Sequence, residues 1–293
     1  MNESSLVDTA IRKAQEEAVA KRAEARMLVE PQNSAPASFT ARAAKVSLDA
    51  GVLRAAGLRA PEDEEPGLAR QYRQIKRPLI ARALGPERIA KGYRIMIASA
   101  TAGEGKTFTA INLALSLSLE KDLRVLLVDA DVAKPHISRV LGVAQAPGFL
   151  DALRDPMLDV QRLVLPTDVP TLSVIPAGRY SDEATELLAS RRMEQIAASL
   201  GEQDRHRIVL FDSCPLLQTN ESHALAQGVG QIIVVVRAEF TPQLVLLEAL
   251  DTLKDHPCVS LVLNQSLRAA TSSYYYYGYG TERAASVPNR GTE

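Results

Sequence analysis

The sequence predicts an α/β protein with a mostly parallel sheet that helices cover on both faces. From about residue 67 onward, apolar segments of strand length alternate with helical patterns. The apolar segments are almost uninterrupted, as is typical of strands buried on both faces. Sheets of this kind bind ligands beyond the carboxyl ends of their strands. The residues directly after each apolar segment are therefore the candidates for a functional site.

Six strands and four helices follow from this pattern. Continuous apolar segments predict the strands, and longer segments with apolar residues at helical spacing predict the helices. The predicted strands are residues 93–100, 124–130, 172–178, 207–213, 231–238 and 259–265. The predicted helices are residues 69–84, 107–121, 184–200 and 242–255.

The composition divides the chain into four regions. Residues 1–29 are predicted to form an alanine-rich helix, which fits either a solvated helix or one that docks on a partner. Residues 30–66 are predicted to be a flexible linker, because they contain four prolines and the acidic run EDEE. Residues 67–270 hold the alternating strands and helices, and residues 271–293 form a flexible tail rich in tyrosine.

Charge and cysteine content exclude several classes of protein. The formal net charge is −1, so nothing in the overall charge favours nucleic acid or an anionic membrane as a partner. Two cysteines fit a reducing compartment rather than a disulfide framework. No uninterrupted apolar segment of ~18 residues predicts a transmembrane helix. We therefore expect a cytoplasmic protein, with attachment to the inner membrane only through a partner.

The segment SATAGEGKT, residues 99–107, directly follows the first predicted strand. Its glycines allow backbone N–H groups to turn toward phosphate oxygens, a lysine can reach the β- and γ-phosphates, and a threonine hydroxyl can bind Mg²⁺. Ala100 occupies the position where the strict P-loop pattern has glycine. The setting between strand and helix nevertheless predicts a P-loop NTPase fold. The residues expected around the nucleotide are Thr101, Ala102, Gly103, Glu104, Gly105, Lys106, Thr107 and Phe108.

Three acidic residues follow two other predicted strands. Asp129 and Asp131 lie two residues apart at the end of the second strand, and Asp212 is the second-last residue of the strand at 207–213. One acid of the Asp129–Asp131 pair can orient Mg²⁺ while the other accepts a proton from an attacking hydroxyl. An ordinary acidic loop is the alternative. Three acids beside one P-loop favour a phosphoryl-transfer site.

The chain has eight tyrosines, and five of them lie in the short segment SYYYYGYG at 273–280. Four consecutive tyrosines cannot all be buried on one helix or strand. The five residues are Tyr274, Tyr275, Tyr276, Tyr277 and Tyr279. Their setting among glycines and serines leaves two interpretations: a segment that enters a cleft, or a surface that adheres to a partner.

Together these motifs resemble the bacterial tyrosine kinase (BY-kinase) family. The motifs are GEGKT, VLLVDADVAKP, VLFDSCP and the tyrosine cluster, with TELLASRRM and VVVRAEFT in support. The resemblance covers about residues 67–280. The N-terminal helix, the linker and the segment DVAKP resemble the stand-alone autokinases of exosortase-linked exopolysaccharide loci.

The resemblance implies ATP and Mg²⁺ as cofactors. It implies that Lys106 contacts phosphate, that Thr107, Asp129 and Asp212 serve the metal, and that Asp131 is the base. Asn264, just after the last predicted strand, matches the position that contacts adenine in such folds. Lys106, Asp129 and Asp131 are thus the expected catalytic residues.

The resemblance also implies a biological role. The tail tyrosines would be the phosphoacceptors, modified in trans by a neighbouring chain, and the phosphorylation would regulate exopolysaccharide synthesis or export. The implied partners are a membrane polysaccharide co-polymerase (a chain-length determinant) as activator, further copies of this chain, and a cognate tyrosine phosphatase. No nucleic acid is implied.

Two motifs depart from the family pattern. Ala133 stands where the family often has arginine, and Lys134 follows it. The family's oligomer motif, Glu-x-x-Arg-x-x-Arg, is replaced by Arg70, Arg73 and Lys76. The acidic member is lost, so the pairing that holds the family's rings is not expected in the same form.

A positioning or scaffold ATPase of the Min/Par or Mrp type is the alternative function, since it shares the fold. Such ATPases carry a signature lysine early in the P-loop, where this chain has Thr101. The Min type ends in an amphipathic membrane helix, whereas this chain ends in tyrosines followed by TERAASVPNRGTE. Both differences favour the kinase.

Overall fold

The computed structural model describes residues 45–48, 50–56, 66–202, 204 and 206–266. Its centre is a seven-stranded sheet with the strand order β3-β4-β2-β5-β1-β6-β7. All neighbouring strands are parallel except β3 and β4, which are antiparallel. The strands are β1 (Arg94–Ser99), β2 (Arg124–Ala130), β3 (Leu165–Pro166), β4 (Leu172–Ile175), β5 (Arg207–Ser213), β6 (Gln231–Arg237) and β7 (Val259–Asn264).

Helices lie between the parallel strands along the chain, as crossover connections require. They are α1 (Ala50–Ala55), α2 (Pro66–Leu84), α3 (Lys106–Ser118), α4 (His136–Val140), α5 (Phe149–Arg154), α6 (Ala184–Leu188), α7 (Arg191–Glu202), α8 (Glu221–Gln227) and α9 (Gln243–Asp251). A short 3₁₀ helix spans Val160–Leu163. None of the helices in the described residues is long and apolar enough to cross a membrane.

The sheet is covered on both faces, as the sequence predicted. On one face, Leu53, Tyr72 and Leu79 from the first two helices pack with the apolar side of α3. On the other face, Phe149 and Phe211 pack with their ring centroids 5.8 Å apart, among residues of α5, α7 and α8. Every residue of β1 is buried, because this strand lies between β5 and β6. The predicted α/β fold is therefore confirmed.

The linker prediction is wrong for residues 45–48 and 50–56. The backbone N–H of Val46 donates to the carbonyl of Pro166 at 2.9 Å, and the N–H of Leu48 donates to the carboxylate of Asp168 at 3.0 Å. Leu53 is fully buried. Proline content indicated a linker, but apolar residues between the prolines supply side chains to the core. The folded domain therefore begins before residue 67.

The predicted helix at 184–200 is two helices. α6 ends at Leu188 and α7 begins at Arg191. At the break, the Ser190 hydroxyl accepts a hydrogen bond from the N–H of Met193 at 3.3 Å, which is the position of an N-cap. The serine thus starts a new helix within a segment whose apolar spacing reads as continuous.

Three predicted regions fall largely or wholly outside the described residues. The N-terminal helix at 1–29 and the tail at 271–293 lie outside them entirely, as does most of residues 30–66. The five tail tyrosines are among these residues. Their predicted roles remain predictions.

Candidate active site

The loop between β1 and α3 has the backbone shape of a phosphate-binding loop. Gly103 and Gly105 have φ angles of 83° and 98°, in the left-handed region that favours glycine. A Cβ atom on Gly105 would also collide with the side-chain amide of Asn264. The helix α3 begins at Lys106, so its positive end and its unpaired N–H groups face the space above the loop.

Lys106 and Thr107 are the first two residues of α3. Lys106 is buried, with 7% of its surface exposed. The hydroxyl of Thr107 donates to Oδ2 of Asp212 at 2.7 Å. The structure thus joins the loop after β1 to the acid at the end of β5, which the sequence placed at the same edge.

Asp129 and Asp212 are neighbours across β2 and β5, and both are fully buried. In each residue, Oδ1 is a buried oxygen without a hydrogen-bond partner. Burial raises the pKa of Asp212 to about 8, and the charge of Asp129 acts in the same direction, while Thr107 and Lys106 lower it. Burial likewise raises the pKa of Asp129 to about 6 against two hydrogen bonds from Ser138.

Ser138, at the third position of α4, holds Asp129 in place. Its backbone N–H and its hydroxyl both donate to Oδ2 of Asp129, at 2.8 and 2.6 Å. The hydroxyl oxygen in turn accepts the N–H of Ala177 at 3.0 Å. Both hydrogen bonds from Ser138 therefore fall on Oδ2, and Oδ1 has no hydrogen-bond partner within the distance limits of a hydrogen bond.

Asp131 is held through one oxygen in the same way. Its Oδ1 accepts the backbone N–H of Lys134 at 3.0 Å and the thiol of Cys214 at 3.3 Å. Burial raises the pKa of Cys214 to about 12, and the charge of Asp131 reinforces the shift, so the thiol stays protonated and acts as a donor. Asp131 is also less buried than Asp129.

The side chains of Glu104 and Asn264 both make hydrogen bonds that stabilise the loop. Glu104 is fully buried and its Oε2 accepts the N–H of Thr101 at 2.7 Å. The carboxylate of Glu104 is therefore engaged within the protein, and the expected role of Glu104 at the nucleotide stays a prediction. The Nδ2 of Asn264 donates to the carbonyl of Glu104 at 3.0 Å. Asn264 therefore braces the loop, and its contact with adenine remains a prediction.

A groove of about 800 Å³ adjoins the loop, between α2, the start of α3 and the end of β7. Phe108 and Asn264 both line it, next to Leu263 and Gln265. Two residues predicted to bind the nucleotide thus share one concave surface. Ala102 and Gly103, also expected around the nucleotide, are exposed.

The residues that replace the family's oligomer motif are not equivalent in the structure. Lys76 is buried, donates to the carbonyl of Ser116 at 2.6 Å and pairs with Glu120 at 2.8 Å. Its charge therefore ties α2 to α3. Arg70 and Arg73 are exposed on α2, and Lys134, near the missing arginine, is also exposed.

Sequence reasoning missed three residues that shape the site. Ser138 and Cys214 orient the two acids of the second strand, and Thr241 contacts Glu104 from the segment after β6. Thr241 lies in VVVRAEFT, a segment already noted for its resemblance, so a signal for it existed. Ser138 and Cys214 gave none, because only the folded chain brings them to Asp129 and Asp131.

The loop, the helix start and the paired acids define a nucleotide-binding P-loop protein. The family described as "AAA domain" matches residues 92–268, and the chain belongs to that family. Its relatives are named as bacterial tyrosine kinases, so the resemblance to the BY-kinase family is confirmed.

Three relatives illustrate the similarity. EpsB of Ralstonia nicotianae, which its name assigns to the tyrosine-protein kinases, is 31% identical over 189 residues, or 64% of this chain and 24% of EpsB. The tyrosine-protein kinase YwqD of Bacillus subtilis is 28% identical over 63% of this chain and 77% of its own length. The solved VpsO kinase domain is 27% identical to this chain, with a TM-score of 0.55. The aligned region covers 67% of this chain and 95% of that domain. This chain thus spans 24% of the length of EpsB.

Proposed function

We propose that this chain is an ATP-dependent protein-tyrosine kinase that phosphorylates its own C-terminal tyrosine cluster. One observation carries the proposal: a P-loop and three acids meet at one edge of the sheet, and Asp131 is held only through Oδ1. A carboxylate oxygen beside a phosphate-binding loop supplies a proton acceptor for a hydroxyl. The names of the relatives support tyrosine as the acceptor.

The donor set fits a magnesium ion. Asp129 and Asp212 each present a buried carboxylate oxygen without a partner, and Mg²⁺ prefers one or two carboxylates together with phosphate oxygens. Thr107, which contacts Asp212, lies where P-loop hydroxyls meet the metal. We propose that these three residues hold Mg²⁺, which would neutralise the charge on the phosphates.

Asp131 would act as the base in the proposed reaction. The tyrosine oxygen forms a bond to the γ-phosphorus of ATP, and the bond from that phosphorus to the bridging oxygen of ADP breaks. Oδ2 of Asp131 accepts the phenolic proton as this happens. Lys106 and the N–H groups of the loop stabilise the negative charge on the phosphate oxygens.

We propose that adenine occupies the groove beside Phe108 and Asn264. Both residues line it, and the groove begins where the loop meets α3. The side-chain amide of Asn264 is engaged with the carbonyl of Glu104. The contact with adenine would therefore use its Oδ1, which in this structure accepts the N–H of Gln265 at 2.9 Å.

We propose that the tail is phosphorylated in trans. Tyr274 lies eight residues beyond Ser266, the last described residue, so that segment spans at most ~30 Å. The site after β2 and β5 lies three to four strands from β7, which is ~14–19 Å. The length of the segment therefore allows transfer both in cis and in trans.

An experiment with two mixed variants distinguishes cis from trans transfer. One variant is Lys106→Met with an intact tail, and the other is an active chain whose five tail tyrosines are changed to phenylalanine.

In that mixture, trans transfer places phosphotyrosine on the Lys106→Met chain. The active chain without tail tyrosines stays unmodified and serves as the control. If the Lys106→Met chain gains no phosphotyrosine while the wild type modifies itself, transfer occurs in cis and this part of the proposal fails.

We further propose that the kinase regulates exopolysaccharide synthesis or export, as the resemblance implies. A membrane polysaccharide co-polymerase would be the activator and would recruit the chain to the inner membrane from the cytoplasm. Copies of the chain would associate through tail-in-cleft contacts, and a cognate phosphatase would reverse the modification. Each phosphotyrosine adds ~−1.5 to −2 charges, so phosphorylation should loosen the assembly.

The central experiment incubates the purified full chain with ATP and Mg²⁺ and detects phosphotyrosine. The proposal expects phosphotyrosine in the wild type and none when all five tail tyrosines are changed to phenylalanine. The assay is repeated with membranes that contain the co-polymerase. ATP hydrolysis without phosphotyrosine under both conditions would contradict the proposal and support the positioning ATPase. Sedimentation before and after ATP tests the assembly.

A further inference from the structure

Glu104 is a charged residue with no exposed surface, although it lies in the P-loop itself. Each of its carboxylate oxygens accepts one hydrogen bond. Oε2 accepts the backbone N–H of Thr101 at 2.7 Å, and Oε1 accepts the hydroxyl of Thr241. A buried carboxylate is costly unless it is hydrogen-bonded, so both contacts favour the observed shape of the loop.

Thr241 comes from a distant part of the chain, between β6 and α9. Its hydroxyl oxygen accepts the N–H of Arg237 at 3.1 Å, and its own N–H donates to the carbonyl of Arg237 at 3.1 Å. A hydroxyl carries one proton, and the bond from Arg237 leaves that proton for Glu104. The end of β6 thus fixes both the place of Thr241 and the direction of its hydrogen bond.

The loop gains from such support because ordering its two glycines costs conformational entropy. Glu104 lies between Gly103 and Gly105, which both have left-handed φ angles. Glycine loses more conformational freedom on ordering than any other residue. An anchored side chain between two glycines restricts the whole turn, and ordering before binding increases affinity.

We propose that Thr241 is a positioning residue for nucleotide binding. Its hydroxyl, acting through Glu104, holds the loop with its N–H groups directed at the phosphates. Nucleotide affinity therefore depends on the segment that follows β6, although that segment contributes no predicted ligand. The inference rests on the proposed use of ATP at this loop, and it is independent of which group accepts the phosphate.

The test compares matched threonine substitutions in the full chain. Thr241→Val keeps the shape of the side chain and removes the hydroxyl, whereas Thr241→Ser keeps the hydroxyl. Thr171→Val is the control, because Thr171 is also half-buried and its hydroxyl donates to the carbonyl of Ser118 at 2.7 Å. Thr171 directly precedes β4, whereas the P-loop follows the carboxyl end of β1. The measured quantity is the Kd for ATP by equilibrium binding, with no acceptor substrate present.

We expect Thr241→Val to weaken ATP binding about tenfold, the typical effect of losing a hydrogen bond to a charged group. Thr241→Ser and Thr171→Val should stay within about twofold of the wild type. ATP binding by Thr241→Val at wild-type affinity would overturn the inference, as would equal weakening in Thr241→Ser. If Thr241→Val does not fold, Thr241→Ala takes its place.

A double variant separates this pathway from a general loss of order. Thr241 acts through Glu104, so Glu104→Gln combined with Thr241→Val should weaken ATP binding no more than the stronger single substitution. Effects that multiply would overturn the inference. These assays measure ATP binding and detect no phosphotyrosine, so they test the inference separately from the proposed kinase activity. If the chain shows the expected Kd pattern but never phosphorylates tyrosine, the inference is supported and the proposed kinase is contradicted.

Discussion

Asp129 and Asp212 are paired in register on the neighbouring strands β2 and β5, and each keeps one buried carboxylate oxygen without a partner. Two carboxylates this close in apolar surroundings resist ionisation together. Burial is the largest cause of the raised pKa of both residues, and the charge of Asp129 raises the pKa of Asp212 further. A divalent cation held by these residues would favour the ionised carboxylates, so we expect metal binding to release protons from this pair.

The raised pKa of Asp212 should make the free energy of unfolding depend on pH. In the metal-free protein its pKa is raised to about 8, whereas in the unfolded chain it ionises near pH ~4. The folded state therefore holds the extra proton between these values, and the contribution of Asp212 to the free energy of unfolding falls as pH rises from ~4 to about 8. Relative to wild type, Asp212→Asn should become more stable over this range.

Urea unfolding between pH 5 and pH 8.5 measures this difference, with the exposed Asp122→Asn as the matched control. Added Mg²⁺ should reduce the difference, because it favours the ionised carboxylates. A constant difference between Asp212→Asn and wild type at every pH would contradict the prediction.

Lys106→Met should abolish phosphotyrosine formation and leave the fold intact. The substitution removes the charge that contacts phosphate, and methionine fills the mostly buried space of the lysine stem. The control is Lys254→Met, because Lys254 is exposed beyond α9. Both variants should keep the wild-type melting temperature. If Lys106→Met then forms phosphotyrosine at the wild-type rate, the proposed contact of Lys106 with phosphate is contradicted.

Asp131→Asn should lower kcat by ~10²–10⁴-fold while ATP affinity stays near wild type. The amide cannot accept the phenolic proton, but its oxygen can still accept the bonds from Lys134 and Cys214. Single-turnover kinetics with a tail peptide give the rate, and equilibrium binding gives the affinity. Near-normal turnover would show that another group accepts the proton.

Ser138→Ala should raise the Mg²⁺ concentration needed for half-maximal rate several-fold. Without the hydroxyl, Oδ2 of Asp129 loses one of its two bonds from Ser138, and the carboxylate is held less firmly. The loss of this buried hydrogen bond should also lower stability by ~1–3 kcal/mol. Ser199→Ala is the control, because that hydroxyl donates only to the carbonyl of Ile196 in α7. An unchanged Mg²⁺ dependence would limit Ser138 to a structural role.

Two N-terminal truncations, one ending before residues 45–56 and one removing them, should differ in stability. Removal of residues 1–42 should leave the melting temperature and nucleotide binding unchanged, whereas removal of residues 1–65 should lower the melting temperature. The second truncation deletes Val46, Leu48 and Leu53, which are buried, and each buried aliphatic side chain contributes ~1.5–3 kcal/mol. Equal melting temperatures for the two truncations would contradict the packing described for residues 45–56.

The order of strands and helices could be read from the sequence because hydrophobic periodicity is a local property. β2 and β5 span the residues that their apolar segments predicted, since strands buried on both faces leave little choice of side chain. The P-loop was also readable, because the glycines, the lysine and the threonine act through local backbone geometry. Asp129, Asp131 and Asp212 followed from the rule that parallel strands end at one edge.

Contacts between distant parts of the chain needed the tertiary structure. The bonds from Ser138 to Asp129, from Cys214 to Asp131 and from Thr241 to Glu104 each join separate loops, and periodicity carries no record of them. Lys76 shows the same limit: its position on α2 was known, but its burial against α3 depends on how the helices pack. The sequence by itself determined the fold class and the groups at the site. Tertiary packing alone decided which oxygen of each acid stays free, because that choice depends on partners brought together only in the folded chain.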